Sequence, residues 1–252
     1  MTLQQLLSPA RRAVEDYNMI KRGDKIAVGL SGGKDSVTLL YILAGLKRFY
    51  PESFDLAAIT VDMGLKDTDE NEKHALADLC GELGVPYRVE KTDIAEIIFD
   101  IRKEPNPCSL CSKMRRGALN GIAKEMGCNK LALGHHADDL IETLFLSMFY
   151  EGRLSTFAPV SYMSNSGITL IRPMIYIEEK DIAAFAKDKP ILHNTCPADK
   201  HTQREYIKNL INSIKKDIPF VKKRIHGAVT HPERYNLFEN PVNREKTGDQ
   251  GD

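Results

Sequence analysis

A short glycine-rich stretch near the start of the chain combines a flexible backbone with hydroxyl, cationic and carboxylate groups. It reads Ser31-Gly32-Gly33-Lys34-Asp35-Ser36. Adjacent glycines let a backbone turn tightly and approach a ligand closely. If a helix begins here, its free amides and its positive end attract an anion. The spacing matches neither the Walker A loop nor the dinucleotide-binding glycine pattern. The stretch therefore predicts a phosphate-binding loop of another kind, the alternative being a plain strand–helix turn.

Carboxylates recur at two further turns. One turn reads Val61-Asp62-Met63-Gly64, and the other reads Gly134-His135-His136-Ala137-Asp138-Asp139, with Glu142 and Thr143 following. Asp35, Asp138 and Asp139 carry the oxygen ligands that Mg²⁺ prefers when it binds phosphates. The alternative for Asp138 and Asp139 is helix capping, a common use of aspartate at this position. We therefore predict that at least one of the two contributes to a magnesium–phosphate site.

The five cysteines form the third group of reactive residues. An odd count with no export signal predicts free or metal-bound thiols. Cys108 and Cys111 form a C-x-x-C pair at the start of a predicted helix, and Cys196 lies in a loop-like setting. We expect the helix dipole and nearby cations to lower the pKa of the paired thiols. Cys80 and Cys128 fall within or at the end of predicted helices, and we interpret them as core residues.

Alternating strands and helices must position these residues. We predict strands over residues 25–30, 54–62, 87–90, 130–134 and 169–174, and helices over 36–50, 69–83, 112–126, 138–149 and 178–187. An added helix is expected over residues 1–22. Continuous apolar strands alternating with helices predict an α/β fold, a Rossmann-like parallel sheet with helices on both faces. Ligands bind at the carboxyl ends of such strands, where the three polar turns fall.

The composition is that of an ordinary globular chain. Of 252 residues, 42% are hydrophobic and 28% are charged, and the formal net charge is zero. No apolar run reaches the roughly 18 residues that span a bilayer, so we expect no membrane association. The first twenty residues carry charges and lack a long apolar segment, which favours a cytoplasmic location. A generally basic protein is excluded.

The glycine-rich hexapeptide resembles the loop of the PP-loop ATP pyrophosphatases, which holds the pyrophosphate of ATP. The turns at residues 61–64 and 134–143 resemble two further segments of that family. The resemblance implies that ATP and Mg²⁺ bind here, the metal most directly at Asp139, with Asp35 also catalytic. The implied nucleotide-binding residues are Ser31, Gly32, Gly33, Lys34, Asp35, Ser36, Asp62, Gly134, Asp138 and Asp139.

The cysteines narrow the resemblance. P-C-S-L-C-S-x-x-R-R-G over residues 107–117, with a later lone cysteine, resembles the tRNA 2-thiocytidine synthetase family, and the likeness covers about residues 20–215. It implies a [4Fe-4S] cluster on Cys108, Cys111 and Cys196 and thiolation of a tRNA cytidine, at position 32. Three protein ligands leave one iron open to hold sulfide, whereas four thiolates close the usual site. A sulfur donor, either a cysteine desulfurase or sulfide, and a homodimer are further implications.

The resemblance also suggests a division of the chain. Residues 1–22 form an N-terminal helical extension and residues 23–190 the PP-loop ATP pyrophosphatase domain. Residues 191–226 hold the cluster-ligand loop and a basic helical region, and residues 227–252 a polar tail. These boundaries are expectations.

Alternatives to this interpretation stay open. The three cysteines could bind zinc, with His193 or His201 as the fourth ligand; we favour the cluster because Cys196 lacks a closely spaced partner. A lysidine-synthetase-like enzyme would need no cysteine triad. A thiouridine synthase with the same cluster and a metal- or redox-sensing nucleotide-binding protein without a product are the other two alternatives.

Charge is sorted along the chain in spite of the zero sum. Residues 62–82 hold seven acidic and two basic side chains, whereas residues 200–224 hold eight basic and two acidic ones. Residues 100–117 are also basic, and there Lys113, Arg115 and Arg116 are candidates for contacting RNA phosphates. The alternative is a solvated helix face. Because RNA binding needs a local basic surface, the zero net charge does not exclude a tRNA substrate.

Overall fold

A twisted six-stranded sheet forms the centre of the chain in the computed structural model, which describes residues 1–65, 70–104, 107–193, 196, 203–235 and 237. Its order is β3-β2-β1-β4-β6-β5. All neighbouring strands are parallel except β5 and β6, which are antiparallel. The strands are β1 (Lys25–Gly29), β2 (Asp55–Asp62), β3 (Tyr87–Lys91), β4 (Lys130–Ala132), β5 (Val160–Met163) and β6 (Ile168–Ile171).

Helices precede, connect and follow the strands, and those that pack on the sheet cover both of its faces. Within the described ranges they are α1 (Leu3–Asp16), α2 (Lys34–Lys47), α3 (Glu70–Glu82), α4 (Pro107–Glu125), α5 (Ala137–Glu151), α6 (Glu179–Ala186), α7 (Gln203–Asp217) and α8 (Val221–Thr230). Helix α4 begins at a proline, which suits a first turn because its missing N–H would have no partner there. Helix α5 ends at Gly152, whose φ of 64° lies in the left-handed region that glycine tolerates.

The core consists of two layers, one on each face of the sheet. Ile26 and Val28 of β1 pack in the larger layer, which α1, α2 and α6 cover. Ala27 of the same strand points into the smaller layer, with Ile122 and Ala123 of α4. Alternation of side chains along a strand puts neighbours on opposite faces, so a continuously apolar strand is buried on both. This arrangement agrees with the predicted parallel sheet covered on both faces.

The predicted elements occur at their expected places with shifted ends, and two elements were missed. Helix α4 begins five residues before the expected Ser112, which puts Cys108 and Cys111 inside its first turns. Strand β5 was not predicted because residues 160–163 lack a clear apolar alternation. A π-helix over Glu96–Ile101 was also missed, since a backbone bonded five residues apart leaves no distinct sequence pattern.

The chain divides into two compact units, Met1–Lys208 and Asn209–Asp252. The sheet and all residues discussed below belong to the first unit. The described part of the second consists of the end of α7, α8 and a short 3₁₀ turn over Pro232–Arg234. The basic helical region expected over residues 200–226 therefore contains two helices, while the predicted domain boundaries stay predictions. In the described residues, no helix has the length and apolar character needed to cross a membrane.

Candidate active site

The glycine-rich loop joins β1 to α2, as predicted. Gly32 has a φ of +82°, and a Cβ atom there would lie 2.6 Å from Cδ2 of Leu192. Both the backbone conformation and the space therefore require glycine at this position. The Ser36 hydroxyl closes the loop by donating to the Gly33 carbonyl oxygen at 3.0 Å and by accepting the Ser31 N–H at 3.1 Å. The free amides at the start of α2 face the carboxyl edge of the sheet, where an anion can bind.

The turn after β4 packs directly against this loop. A Cβ atom on Gly134 would lie 3.1 Å from the carbonyl carbon of Asp35, so glycine permits the close approach. His136 is buried between two carboxylates: its Nε2 lies 3.7 Å from Asp35 Oδ1 and 3.4 Å from Asp139 Oδ2. Asp35 and Asp139 are 104 positions apart in the chain, and the fold brings them together around one imidazole.

Asp138 and Asp139 have different surroundings. Asp138 is 5% exposed, and its Oδ2 accepts the backbone N–H of Glu179 at 2.7 Å. That bond joins the first turn of α5 to the first residue of α6. Asp139 accepts the N–H of His136 at 3.0 Å in a capping box and also lines the cavity described below. Asp138 thus has a structural contact, whereas Asp139 combines capping with access to the site.

An ion-pair chain extends from the loop to α7. Lys34 Nζ lies 3.1 Å from Asp35 Oδ1 and 3.2 Å from Glu179 Oε1, and Lys208 Nζ lies 2.7 Å from Glu179 Oε2. Burial by itself would lower the pKa of Lys34, but the two carboxylates outweigh it and raise that pKa. For Glu179 burial by itself would raise the pKa, but Lys208 and Lys34 outweigh it and hold that pKa below its usual value. The phosphate-loop lysine therefore stays charged.

Arg204 provides a second link from α7. Its Nη1 lies 3.1 Å from Glu142 Oε2 and 3.5 Å from Asp139 Oδ1, and its Nη2 donates to the Thr143 hydroxyl at 3.3 Å. Glu179, Arg204 and Lys208 were not predicted as site residues. Arg204 and Lys208 are ordinary cations in a polar segment, and no local pattern indicates which carboxylates they contact.

A cavity of about 530 Å³ opens at the carboxyl ends of β1, β2 and β4. This volume falls in the range of about 300–1,000 Å³ that is typical of small-molecule sites. Site residues predicted from the sequence that line it are Ser31, Gly33, Asp35, Ser36, Asp62, Gly134 and Asp139. Met63, Arg115, His135 and His193 also contribute to the lining. The sheet order changes direction between β1 and β4, which is where ligands bind in open α/β sheets.

His135 lies on the wall of this cavity as a neutral imidazole. Burial lowers its pKa to about 4, and its ring packs on Phe157 with ring centres 4.9 Å apart. Its buried Nδ1 atom has no hydrogen-bond partner in the part of the chain that the structure describes. The site therefore holds an uncharged ring at neutral pH.

The cysteines approach the same cavity from α4. Cys108 and Cys111 lie three residues apart on the helix, hence on one face. Cys111 Sγ lies 3.5 Å from Sδ of Met63, which lines the cavity. Cys108 and Cys196 are near enough to influence the ionisation of Cys111. Cys80 and Cys128 are buried, in agreement with their interpretation as core residues.

The expected lowering of the thiol pKa is wrong for Cys111. Burial raises its pKa, Arg115 opposes that effect, and Cys196 and Cys108 add to the rise. Within the described ranges no three His, Cys, Asp or Glu side chains are arranged to hold a metal ion. For the zinc alternative, His193 lines the cavity, while His201 lies outside the described residues.

Three basic side chains follow the cysteines on α4. Lys113, Arg115 and Arg116 are all exposed, and within the described part of the chain none of them forms an ion pair with a carboxylate. Arg115 reaches the cavity. The α4 side of the cavity is therefore positively charged.

The fold and the site define a PP-loop nucleotide-binding protein, and comparison with known proteins agrees. The sequence profile of the PP-loop domain family matches residues 3–216. The tRNA-cytidine(32) 2-sulfurtransferase of Syntrophotalea carbinolica is 41% identical over 235 residues, which are 90% of this chain and 89% of that protein. The enzyme of the same name from Aliivibrio fischeri is 44% identical over 243 residues, 92% of this chain and 78% of the relative.

The chain belongs to the tRNA-cytidine(32) 2-sulfurtransferase family, as its sequence motifs predicted. Among solved structures, the U34-tRNA thiolase NcsA from Methanococcus maripaludis, with its [4Fe-4S] cluster, has a TM-score of 0.73 and 25% identity. That similarity covers 93% of this chain and 80% of NcsA. The predicted fold class is therefore confirmed by a second PP-loop protein.

Proposed function

We propose that this chain is an ATP-dependent tRNA sulfurtransferase that replaces the 2-oxygen of cytidine 32 with sulfur. The observation that carries the proposal is the meeting of two groups at one cavity. The phosphate loop forms one wall, and Met63, 3.5 Å from the Cys111 thiol, forms another. Membership of the 2-sulfurtransferase family supports the choice of base. A site with both groups can activate an oxygen and then receive sulfur.

The first step is activation of the base. The 2-oxygen of cytosine attacks the α-phosphorus of ATP, and pyrophosphate leaves. The loop amides, Ser31 and Ser36 donate hydrogen bonds to the departing phosphates, and the Lys34 cation stabilises their charge. Lys34 is suited to this because Glu179 and Asp35 keep it protonated and fix its position.

Asp35 and Asp139 are the proposed ligands of Mg²⁺. Their carboxylates converge on His136, and Asp35 Oδ1 also forms an ion pair with Lys34 Nζ at 3.1 Å. Carboxylate oxygens are the ligands that a hard cation prefers. When bound, the metal would offset the negative charge of the phosphates. Asp138 has a smaller share in this role because it is bound to the Glu179 amide.

Cys108, Cys111 and Cys196 are the proposed ligands of a [4Fe-4S] cluster, which when bound would supply a place to hold sulfide near the activated base. Three thiol ligands would leave the cluster one position without a protein ligand. The contribution of Cys196 and Cys108 to the raised pKa of Cys111 supports their proximity to that thiol. Hydrosulfide then attacks C2 of the adenylated cytosine, and AMP leaves with the original oxygen. The α4 cations Lys113, Arg115 and Arg116 hold the RNA.

The remaining parts of the proposal concern surroundings and partners. The sulfur comes from a cysteine desulfurase or from sulfide, the working form is a homodimer, and the enzyme acts in the cytoplasm. Co-purification tests for a protein sulfur donor, and sedimentation tests for the homodimer. A chain that sediments as a monomer at working concentration contradicts the dimer.

The decisive experiment is reconstitution. The full chain, purified without oxygen, is incubated with ATP, Mg²⁺, sulfide and a tRNA that carries cytidine 32. Nucleosides are then analysed by mass spectrometry, and AMP and pyrophosphate are measured. We expect one 2-thiocytidine for each AMP released, and none with the matched transcript that carries uridine at position 32.

Three outcomes contradict the proposal in different ways. Sulfur found in uridine, as in the U34-tRNA thiolase that this fold resembles, makes the chain a thiouridine synthase. Nucleotide binding without release of AMP makes it a sensor. A colourless chain holding stoichiometric zinc excludes the cluster while leaving the activation step intact.

A further inference from the structure

Arg172 follows β6 and is a buried cation. It continues the alternation of Ile168 and Leu170, so its side chain leaves the sheet on the face that α4 covers. Only 7% of it is exposed. Its Nη1 donates to the Ala158 carbonyl oxygen at 2.6 Å and to the Ser161 hydroxyl at 3.3 Å, and its buried Nε has no hydrogen-bond partner among the described residues.

The charge of Arg172 has no counter-ion in the described part of the chain. Burial and, to a smaller extent, the charge of Arg116 together lower its pKa to about 10, and no carboxylate among the described residues acts in the opposite direction. The guanidinium still carries its charge at neutral pH. Burying an unpaired charge costs several kcal/mol. A neutral donor would serve Ala158 and Ser161 equally well, so these contacts alone do not account for an arginine.

Arg116 also lacks a carboxylate partner. Its charge contributes to the lowered pKa of Arg172, and within the described residues neither arginine forms an ion pair with a carboxylate. Other arginines do have a carboxylate partner, for example Arg11 with Glu15 at 2.7 Å and Arg88 with Glu125 at 2.8 Å. The face of the sheet that α4 covers thus concentrates positive charge that the described residues do not balance. Such a concentration of positive charge attracts an anion.

The phosphates of ATP are not the anion that Arg172 binds. They have their own binding loop, and Arg172 is not among the described residues that line the nucleotide cavity. Arg116 is on the exposed surface of α4, beside Arg115, which does line the cavity. An anion bound by Arg172 and Arg116 therefore lies beside the nucleotide cavity, on the face of the sheet that α4 covers. A polymer that places one base in the cavity has phosphates in that position.

We propose that Arg172 and Arg116 form a binding site for a backbone phosphate of the tRNA next to the nucleotide that is modified. This inference rests on the proposed function, because it assigns part of the RNA contact of the same site. Arg172 supplies a fixed guanidinium, held in place by Ala158 and Ser161 and lying 5.0 Å from the centre of the Phe157 ring. Arg116 supplies an exposed one. The phosphate in turn neutralises the buried charge.

The test measures binding of the tRNA that carries cytidine 32 at several salt concentrations. Loss of one charge-assisted phosphate contact weakens binding about tenfold and reduces the salt slope by about 1. We expect both changes for Arg172→Met and for Arg116→Gln. Arg172→Lys, which keeps the charge, should keep the slope. Arg11→Gln is the matched control, because it removes an exposed arginine on α1.

ATP affinity and thermal unfolding are measured for the same variants. Arg116→Gln keeps the test open if Arg172→Met does not fold, since Arg116 is exposed. Unchanged tRNA affinity and slope in both variants overturn the inference alone, provided that the wild-type chain binds tRNA. A selective loss of ATP affinity overturns it in favour of a nucleotide phosphate. A wild-type chain that neither binds nor thiolates tRNA overturns the proposed function and this inference together.

Discussion

The guanidinium of Arg204 lies 3.1 Å from the carboxylate of Glu142, and this ion pair joins the first turn of α7 to α5. Glu142 is buried and Arg204 is partly exposed. Cys196 comes eight residues before Arg204 in the chain. The pair therefore ties the start of α7 to the helix that also carries Asp139, which lines the nucleotide cavity.

Removal of this pair should lower stability in a pH-dependent way. Burial raises the pKa of Glu142 above its usual 4.5, and Arg204 opposes the rise. In Arg204→Gln that pKa rises further, so the folded chain keeps a proton that the unfolded chain releases. Stability then falls as the pH increases from 4.5 through the folded-state pKa. We expect a loss of about 1 kcal/mol near neutral pH, since Arg204 is partly solvated.

Urea unfolding at a series of pH values measures this effect. The matched control is Glu142→Gln in the same background, which removes the buried carboxylate and should remove this pH-dependent loss of stability. An Arg204→Gln chain whose stability loss is equal at all pH values would show that the ion pair does not set the ionisation of Glu142.

Substitution of Asp138 should mainly lower stability, whereas substitution of Asp139 should mainly lower catalytic activity. Asp138→Ala removes the acceptor of the Glu179 N–H and should cost about 1–2 kcal/mol of stability, as loss of a helix cap does. Asp138→Asn keeps an acceptor and should lose less. Asp139→Asn should reduce AMP release about tenfold, because a neutral amide is a poor ligand for Mg²⁺. Urea unfolding and AMP assays on the three variants provide the comparison, and equal catalytic loss in Asp138→Asn would contradict the division of roles.

Two glycine-to-alanine changes should act in opposite directions. Gly32 has a left-handed φ and a Leu192 atom only 2.6 Å from an added Cβ, so Gly32→Ala should cost at least about 1–2 kcal/mol and weaken ATP binding. Gly121 lies inside α4 with open space around it. Gly121→Ala should therefore stabilise the chain by about 0.5–1 kcal/mol. Thermal unfolding and ATP titration test both. Normal ATP binding by a folded Gly32→Ala chain would contradict the assigned role of the loop.

Cysteine variants should distinguish ligands from core residues. Cys111→Ser should abolish bound iron and acid-labile sulfide while ATP binding persists. Cys80 is fully buried in the larger core layer, with burial raising its pKa to about 11. Cys80→Ala should keep the iron and lose about 1 kcal/mol of stability. Iron, sulfide and visible absorbance of chains purified without oxygen are the measurements. Full iron content in Cys111→Ser would remove this thiol from the ligand set.

Elements with a strong local pattern could be predicted from the sequence. Helix α2 is apolar nearly all round, and it is buried nearly all round. The phosphate loop was recognisable because two glycines, a lysine and two serines stand together between a strand and a helix. The turns at Asp62 and Gly134 were expected at the same sheet edge, since parallel strands end on one side. Each of these inferences depends on neighbours in the chain.

Contacts between distant segments could not be obtained in that way. The Arg204–Glu142 pair joins residues 62 positions apart, and the Cys111–Met63 contact joins residues 48 apart. Which of two adjacent aspartates binds the α6 amide depends on how α5 and α6 pack. Whether Cys111 has a raised or lowered pKa depends on burial outweighing Arg115. Local periodicity and turn chemistry are carried by contiguous residues, whereas ion pairs, burial and ionisation depend on side chains that meet only when the helices pack on the sheet.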